Sequence, residues 1–487
     1  MQTALQRRKI VFKRTIVIKL KPTANQETFL REWSENCAVL WNMINYKRRR
    51  EFFEKGRVDL SEDKDLYDAF KRLVGSATAQ QIMRKNGEAW KSFLALKKKL
   101  REGKLPENIG RVSPPRYWKD RATGTRNGII IVRRDLYSLS SKHLFIRAAP
   151  RALLKKFGLK SPVRIRWSGR PRWSGKFGRL EIVYDVVSGK WYAHISVEVV
   201  TYLDDPPHQP NFASIDLGVK NLAAVYYSSG DVEVYKGSTL LADFFHLNRV
   251  LSAYQSALNK SGFKISKRLK RIFRRYTGRF RHAVKAMVKA ILEKAKDRDV
   301  GVIYIGYPKH IRDHVNGGRK SNSLVHNFWS FKFILDWFRV KAVEYGVKIV
   351  FVGEAYTSIM CPKCGYSSPS NRKHRGLFKC VKCGFVANAD LVGAFNIAKL
   401  NGAESILKGH ARLSSPTPLI WDRRMWKPYR RNDNLESSPH GVGWIGVTGL
   451  GPPEAPPFIG VQRIPLIRWG SRSNHKYADP KDPINPR

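Results

Sequence analysis

The sequence predicts a multidomain α+β protein, and three observations carry that prediction. A helix-patterned stretch interrupts strand-patterned segments within the first 200 residues, strands and amphipathic helices then mix over 211–400, and a four-cysteine cluster is inserted near the end of that second region. Length and composition agree: 487 residues suggest about three domains, and 42% hydrophobic residues, with 13 Trp, 19 Tyr and 24 Phe, exclude a wholly disordered chain.

Taken in order, residues 14–21 (RTIVIKLK) alternate and predict a strand. Residues 23–54 place Phe29, Trp33, Val39, Leu40, Ile44 and Tyr46 near helical spacing, and 60–104 continue in that style to Lys97-Lys98-Lys99. Pro106, Pro114, Pro115, Gly124 and Gly128 break 105–127 into loop. From 128 to 200, GIIIV, SPVRIRW, RLEIVYDV and WYAHISVEV predict short strands of a small barrel or sandwich that takes in the N-terminal strand. Residues 201–210 predict a linker. Three strands follow over NFASIDLGVKNLAAVYYSSGDVEVYKG, then a long helical region at about 240–298, a buried strand VGVIYIG, an amphipathic helix over 324–345, a strand VKIVFVGE, the cysteine cluster, and a last helix from about 389 to 400. Residues 401–487 hold 12 of the 25 prolines and 9 of the 36 glycines, which predicts a mostly irregular tail. The domain boundaries are therefore 1–22 with 128–200, 23–127, 201–210, 211–358 with 386–400, 359–385, and 401–487.

Lys and Arg number 91 against 39 Asp and Glu, a net charge of +52. Such a chain repels itself unless a polyanion is bound, which points to nucleic acid. No stretch approaches about 18 consecutive apolar residues, and Arg7, Arg8, Lys9, Lys13 and Arg14 interrupt any leader core, so a cytoplasmic, nucleoid-associated protein without a membrane partner is expected. Between 264 and 298 stand 14 Lys/Arg and only Glu293 and Asp297. Lys267, Arg268, Lys270, Arg271, Arg274, Arg275 and Arg279 surround the axis of a helix and are expected to contact phosphates. Tyr117 and Trp118 are placed either to stack on bases or to pack at a domain seam.

Five cysteines exclude a disulfide scaffold. Cys37 is expected to be a small core residue. Cys361, Cys364, Cys380 and Cys383 form C-x2-C-x15-C-x2-C, two knuckles that predict one tetrahedral structural zinc. All four positions are filled by protein, so that zinc would not be catalytic. Three carboxylates form the other candidate constellation. Asp216 ends an apolar strand before Gly218, Glu354 ends VKIVFVGE, and Asp390 starts the last helix. Each alone reads as a turn, strand-end or N-terminal helix charge. Together, in so basic a chain, they suit two Mg²⁺ held about 3.5–4 Å apart for cleavage of a polyanion.

The segments S-I-D-L-G-x-x-N, E-x-x-T-S-x-x-C-P-x-C-G, R-G-x-F-x-C-x-x-C-G and N-A-D-L-x-G-A-x-N-I, spread over about 211–400, resemble TnpB, the transposon-encoded RNA-guided nuclease family related to miniature type V CRISPR effectors and Fanzor proteins. The resemblance implies a RuvC-like, RNase H-type α/β nuclease domain with an inserted zinc ribbon. It also implies an N-terminal wedge-like β domain with an inserted helical recognition lobe, a guide RNA, a short target-adjacent motif and cutting of double-stranded DNA. Asp216 and Asp390 match the first and last RuvC aspartates, and the four cysteines match the ribbon ligands. The middle glutamate departs from the common pattern. Val302-Ile303-Tyr304-Ile305-Gly306-Tyr307-Pro308, where many members carry it, holds no acid, and Glu354 one strand later fits branches that look rearranged. The expected activity is therefore Mg-dependent, RNA-guided DNA endonuclease. The alternative is a catalytically weak or inactive RNA-guided DNA-binding repressor, with strand-transferring transposase a distant third. Monomer and homodimer stay equally open.

Overall fold

The computed structural model describes all residues except 1–6, 106–108, 110, 120–125, 205–210, 263–265, 308–317, 355, 375, 402–409, 415 and 430–487. Most of the expected linker and most of the expected tail thus lie outside the described residues. The described residues form two compact units, one within 8–202 and one from 203 onwards together with Arg7.

The first unit begins with β1 (Arg7–Lys21) and three helices, α1 (Ala24–Lys55), α2 (Lys64–Val74) and α3 (Ser76–Arg101). It continues with β2 (Ile129–Val132), β3 (Tyr137–Leu139), β4 (His143–Ile146), α4 (Arg151–Lys156), β5 (Val163–Ser168), β6 (Lys176–Asp185) and β7 (Lys190–Asp204). Helix α1 starts at a capping box: the Thr23 hydroxyl accepts from the Gln26 amide, and the Gln26 side chain accepts from the Thr23 amide. The seven strands are ordered β2-β6-β7-β1-β5-β4-β3. Laid flat, edges β2 and β3 would stand about 29 Å apart. Yet only Arg133 to Leu136 join them in sequence, a span of about 17 Å at most, so the sheet must curl. Among the described residues no ladder closes the seam, which makes the expected barrel an open, curved one. Its inner face (Ile16, Ile18, Leu20, Ile130, Ile182, Ile195) packs on Leu30, Trp33 and Cys37 of α1. Cys37 is fully buried, and burial pushes its thiol pKa up, as expected of a core residue.

The second unit carries β8 (Asn211–Asp216), β9 (Asn221–Tyr227), β10 (Val232–Lys236), α5 (Ser238–Lys260), α6 (Lys267–Lys296), β11 (Val300–Tyr307), α7 (Gly318–Ser323), α8 (Phe331–Ala342) and β12 (Lys348–Gly353). A small three-stranded sheet follows, of β13 (Arg372–His374), β14 (Leu377–Lys379) and β15 (Val386–Asn388), then α9 (Ala389–Lys399), β16 (Thr417–Trp421) and β17 (Trp426–Pro428). The large sheet runs β12-β11-β8-β9-β10-β16-β17. Strands β12, β11 and β8 are parallel, and β8, β9 and β10 antiparallel.

Alternation along the strands assigns the two faces. Ala213, Ile215, Ile303, Ile305, Ile349 and Phe351 pack with α5, α6 and α8. Phe212, Ala224, Tyr226, Val302 and Tyr304 pack with α9 and the cysteine-bearing sheet. By the same alternation Asp216, Gly306 and Glu354 belong to the α9 side.

Three expectations are corrected here. The single helix over 324–345 is a π turn at Leu324–Phe328, a break, α8, and a 3₁₀ turn at Val343–Tyr345; burial of Phe328 and Trp329 sets the break. The irregular tail contains β16, which pairs in parallel with β10, and β17, which pairs with β16. Trp421 is buried there, and the Trp426 indole donates to the Ala283 carbonyl at 3.0 Å. Finally, the cations of α6 do not surround its axis. Tyr276, Phe280, Ala283, Val284, Met287, Val288, Ile291 and Leu292 form a buried face, and the cations take the complementary arc.

Candidate functional site

The strand ends bring Asp216 and Glu354 towards Asp390 at the start of α9, near enough for the charges of the other two to act on Asp216. Asn388 caps α9, its side-chain oxygen accepting from the amides of Asp390 (3.0 Å) and Leu391 (3.2 Å), which fixes Asp390 in the first helical turn. The Asp390 carboxylate accepts from the Asn221 side-chain amide at 2.6 Å and faces the Arg372 guanidinium at 3.5 Å. Asp216 reaches α9 from the end of β8. A Cβ on Gly393 would lie 2.6 Å from the Asp216 Oδ2, so only glycine admits the carboxylate at that approach.

Glu354 enters from β12, and its side chain lies over Gly306 of the neighbouring strand. A Cβ at 306 would meet the Glu354 Oε2 at 2.8 Å and the Ile397 Cδ1 at 2.9 Å. The position that lacks an acid in sequence is therefore the position that the Glu354 carboxylate fills. The turn after β12 is held by Thr357, whose hydroxyl donates to the Glu354 carbonyl at 2.9 Å.

Electrostatics record the crowding. Burial, then the charges of Glu354 and Asp390, hold Asp216 well above the usual carboxylate range, with Arg372 opposing. Burial pushes Glu354 up to about 7, and its Oε2 is buried without a hydrogen-bond partner. Burial also raises Asp390, against the Asn221 hydrogen bond and the Arg372 charge. Three raised acids and an orphaned buried oxygen are the oxygen donors that hard divalent cations take and would ionise, though among the described residues only the four cysteines already lie close enough together to hold an ion.

The four cysteines come together as the spacing requires. Cys361 and Cys383 Sγ atoms are 3.6 Å apart, as are those of Cys364 and Cys380, and all four lie within 4.8 Å of one another. Sulfurs about 2.3 Å from a shared zinc would be about 3.8 Å apart, so the cluster suits structural zinc. Both knuckles end on a left-handed glycine, Gly365 at φ 73° and Gly384 at φ 70°. The buried Asn371 ties them together, donating to the carbonyls of Ile359 (2.8 Å) and Tyr366 (3.1 Å) and accepting from the Val381 amide (2.9 Å).

The expected nucleic-acid residues divide. Lys267, Arg268, Arg271, Arg274, Arg275 and Arg279 are exposed on α6 and Lys270 half-exposed; further along, Lys285 lies over Trp337 at 4.3 Å. Trp118 stacks on Trp41 with centroids 4.2 Å apart and planes 4° apart, so one of its faces is already covered. Tyr117 stays exposed, with the Arg49 guanidinium 5.6 Å above its ring.

Sequence reasoning gave no role to Asn221, Gly306, Arg372 or Gly393. Asn221 and Gly393 stand inside the motif segments as their N and G. Arg372 carried no local signal, because strand pairing in the cysteine-bearing sheet, and not sequence distance, brings it to Asp390.

A family model described as OrfB_IS605, probable transposase, matches residues 194–312, and one described as the Cas12f1-like TNB domain matches 331–397. TnpB-like protein ORF457 of Acidianus two-tailed virus is 32% identical over 413 residues, covering 80% of this chain and 86% of that protein. CRISPR-associated endodeoxyribonuclease Cas12f1 of Sulfoacidibacillus thermotolerans is 39% identical over 70 residues, 14% of this chain and 17% of that one. Among solved structures, a Cas12f1-sgRNA-target DNA complex aligns over 80% of this chain and 99% of the other, at 13% identity and a TM-score of 0.49.

Proposed function

The chain belongs to the TnpB family, and from that premise we propose that it is an RNA-guided DNA endonuclease with a RuvC-type two-metal centre. A guide RNA would select double-stranded DNA by base pairing, next to a short motif read by the protein.

One observation carries the catalytic part of this reading: the Glu354 carboxylate fills the space over Gly306. Registers Gly306–Val352 and Tyr307–Gly353 set the two strand ends side by side, so a carboxylate from either strand reaches one place. On this reading Glu354 would supply, from the next strand, the acid whose absence at Gly306 favours a non-cutting repressor.

Asp216, Glu354 and Asp390 would hold two Mg²⁺, which when bound supply an activated water and stabilise the leaving oxygen. Asn221 and Arg372 orient Asp390, while Gly306 and Gly393 leave room for the other two carboxylates. Cys361, Cys364, Cys380 and Cys383 would hold zinc, which fixes β15 and hence the start of α9. The exposed cations of α6 would hold nucleic-acid backbones.

The test is plasmid cleavage by the ribonucleoprotein, purified after co-expression with the native flanking DNA. The target carries the matching sequence behind a randomised flank. Linearisation of the matched plasmid with Mg²⁺, and of neither a scrambled plasmid nor an EDTA control, is expected. Guide-dependent binding without cutting would favour the repressor.

A further inference from the structure

The turn that leaves β12 carries an aromatic side chain no role above accounts for. Tyr356 adopts φ 63°, a left-handed conformation uncommon and strained for a bulky residue. It is also 77% exposed, in contrast to the buried oxygen of Glu354 two residues before it. Two further features tie its turn to the strand end that carries the Glu354 carboxylate. Gly353, just before Glu354, is exposed with open space beside its α-carbon. Thr357 pins the far side of the turn, its amide and its hydroxyl both donating to the Glu354 carbonyl, at 3.3 Å and 2.9 Å. The turn thus holds a planar ring in solvent two residues after Glu354, in a left-handed backbone conformation.

We propose that Tyr356 stacks on an unpaired nucleobase beside the phosphodiester to be cut, holding a single strand across Asp216, Glu354 and Asp390. The inference rests on the nuclease reading and adds a substrate contact on the turn that follows Glu354. An aromatic face accepts any base, so it positions a strand without reading sequence, which suits an enzyme whose specificity resides in RNA pairing.

The experiment uses the guide-loaded ribonucleoprotein carrying Asp216→Asn, so that DNA stays uncut. Single strands labelled with 2-aminopurine at successive positions around the cut site are titrated in, and fluorescence is read. One or two adjacent positions should be quenched, the quenching should vanish with Tyr356→Ala, and it should return with Tyr356→Phe or Tyr356→Trp. In the Asp216 protein, Tyr356→Ala should lower kcat/KM about five- to a hundredfold, the effect of one stacked base, with Tyr356→Phe near wild type. Tyr356→Gly should raise Tm by relieving the strain and still cut poorly, which separates contact from folding. Quenching unchanged in Tyr356→Ala, or full cutting by Tyr356→Gly, would overturn the proposal. Failure of the wild type to cut would sink the nuclease reading alone, because the quenching signal does not depend on cleavage.

Discussion

At the scale of single residues, the site is a set of acids held where they would rather not ionise. Asp216 and Asp390 were legible because an acid at an apolar strand end and one at a helix start are sequence-local features. Glu354 was legible only as a strand-end acid; that it covers Gly306 depends on strand pairing. The glycines that admit the carboxylates, Gly306 and Gly393, carry no chemistry of their own to mark them. Gly306→Ala should leave the unit folded and reduce cutting, since the new Cβ displaces the Glu354 carboxylate or Ile397; unimpaired cutting rates would show that this approach is not needed. The raised pKa values fix the sign of a pH effect in EDTA. The folded state holds the Glu354 proton more tightly than the unfolded chain, so its contribution is present at low pH and is lost as pH rises from about 4.5 towards about 7. Metal-free wild type should therefore melt at lower temperature as pH rises through that window, and Glu354→Gln should flatten the dependence. At higher pH in EDTA, Asp216→Asn should melt a few degrees higher than wild type and cut nothing, because like charges no longer crowd. A lower melting temperature for that variant would contradict the electrostatic account.

At the scale of elements, the cysteine-bearing sheet and α9 act together. β15 ends at Asn388, Asn388 caps α9, and Asp390 and Arg372 stand on either side of that junction. Cys380→Ser or a strong chelator should lower thermal stability and abolish cutting together, and Mg²⁺ alone should restore neither. A variant that loses zinc and still cuts would uncouple the two. The cysteines were readable because metal-ligand spacing is written in the chain. The strands β16 and β17 were not, because Pro416 precedes β16, Pro418 and Pro428 stand within the two strands, and β10, the partner of β16, pairs with it 184 residues earlier in the chain (Glu233 with Thr417). Truncation after residue 415 should expose Trp426's site on α6 and the edge of β10, giving poor solubility, whereas truncation after 429 keeps every described strand. Equal melting curves for the two truncations would refute a structural role for β16.

At the scale of the whole molecule, charge and architecture carry different information. The net charge of +52 points to a polyanion without locating it. The structure sorts the α6 cations onto one solvent-facing arc because its apolar residues recur at helical spacing, a pattern the density of Lys and Arg obscured in the sequence. Replacing Arg271, Arg274 and Arg275 with Gln should weaken RNA or DNA binding and reduce the slope of log affinity against log salt by about one unit per lost phosphate contact. An unchanged slope would remove α6 from the interface. The α+β class followed from periodicity, but the pairing order of the strands did not. The curl of the N-terminal sheet did not, because it follows from which strands pair and not from any one of them.

The most direct measurement is the single-turnover cutting rate of the guide-loaded protein in Mg²⁺, wild type against Glu354→Gln. The substitution keeps shape and removes the charge over Gly306. The account predicts a loss of at least about a hundredfold, with guide-dependent DNA binding retained. Cutting at the wild-type rate by Glu354→Gln would contradict it and leave the centre without its third carboxylate.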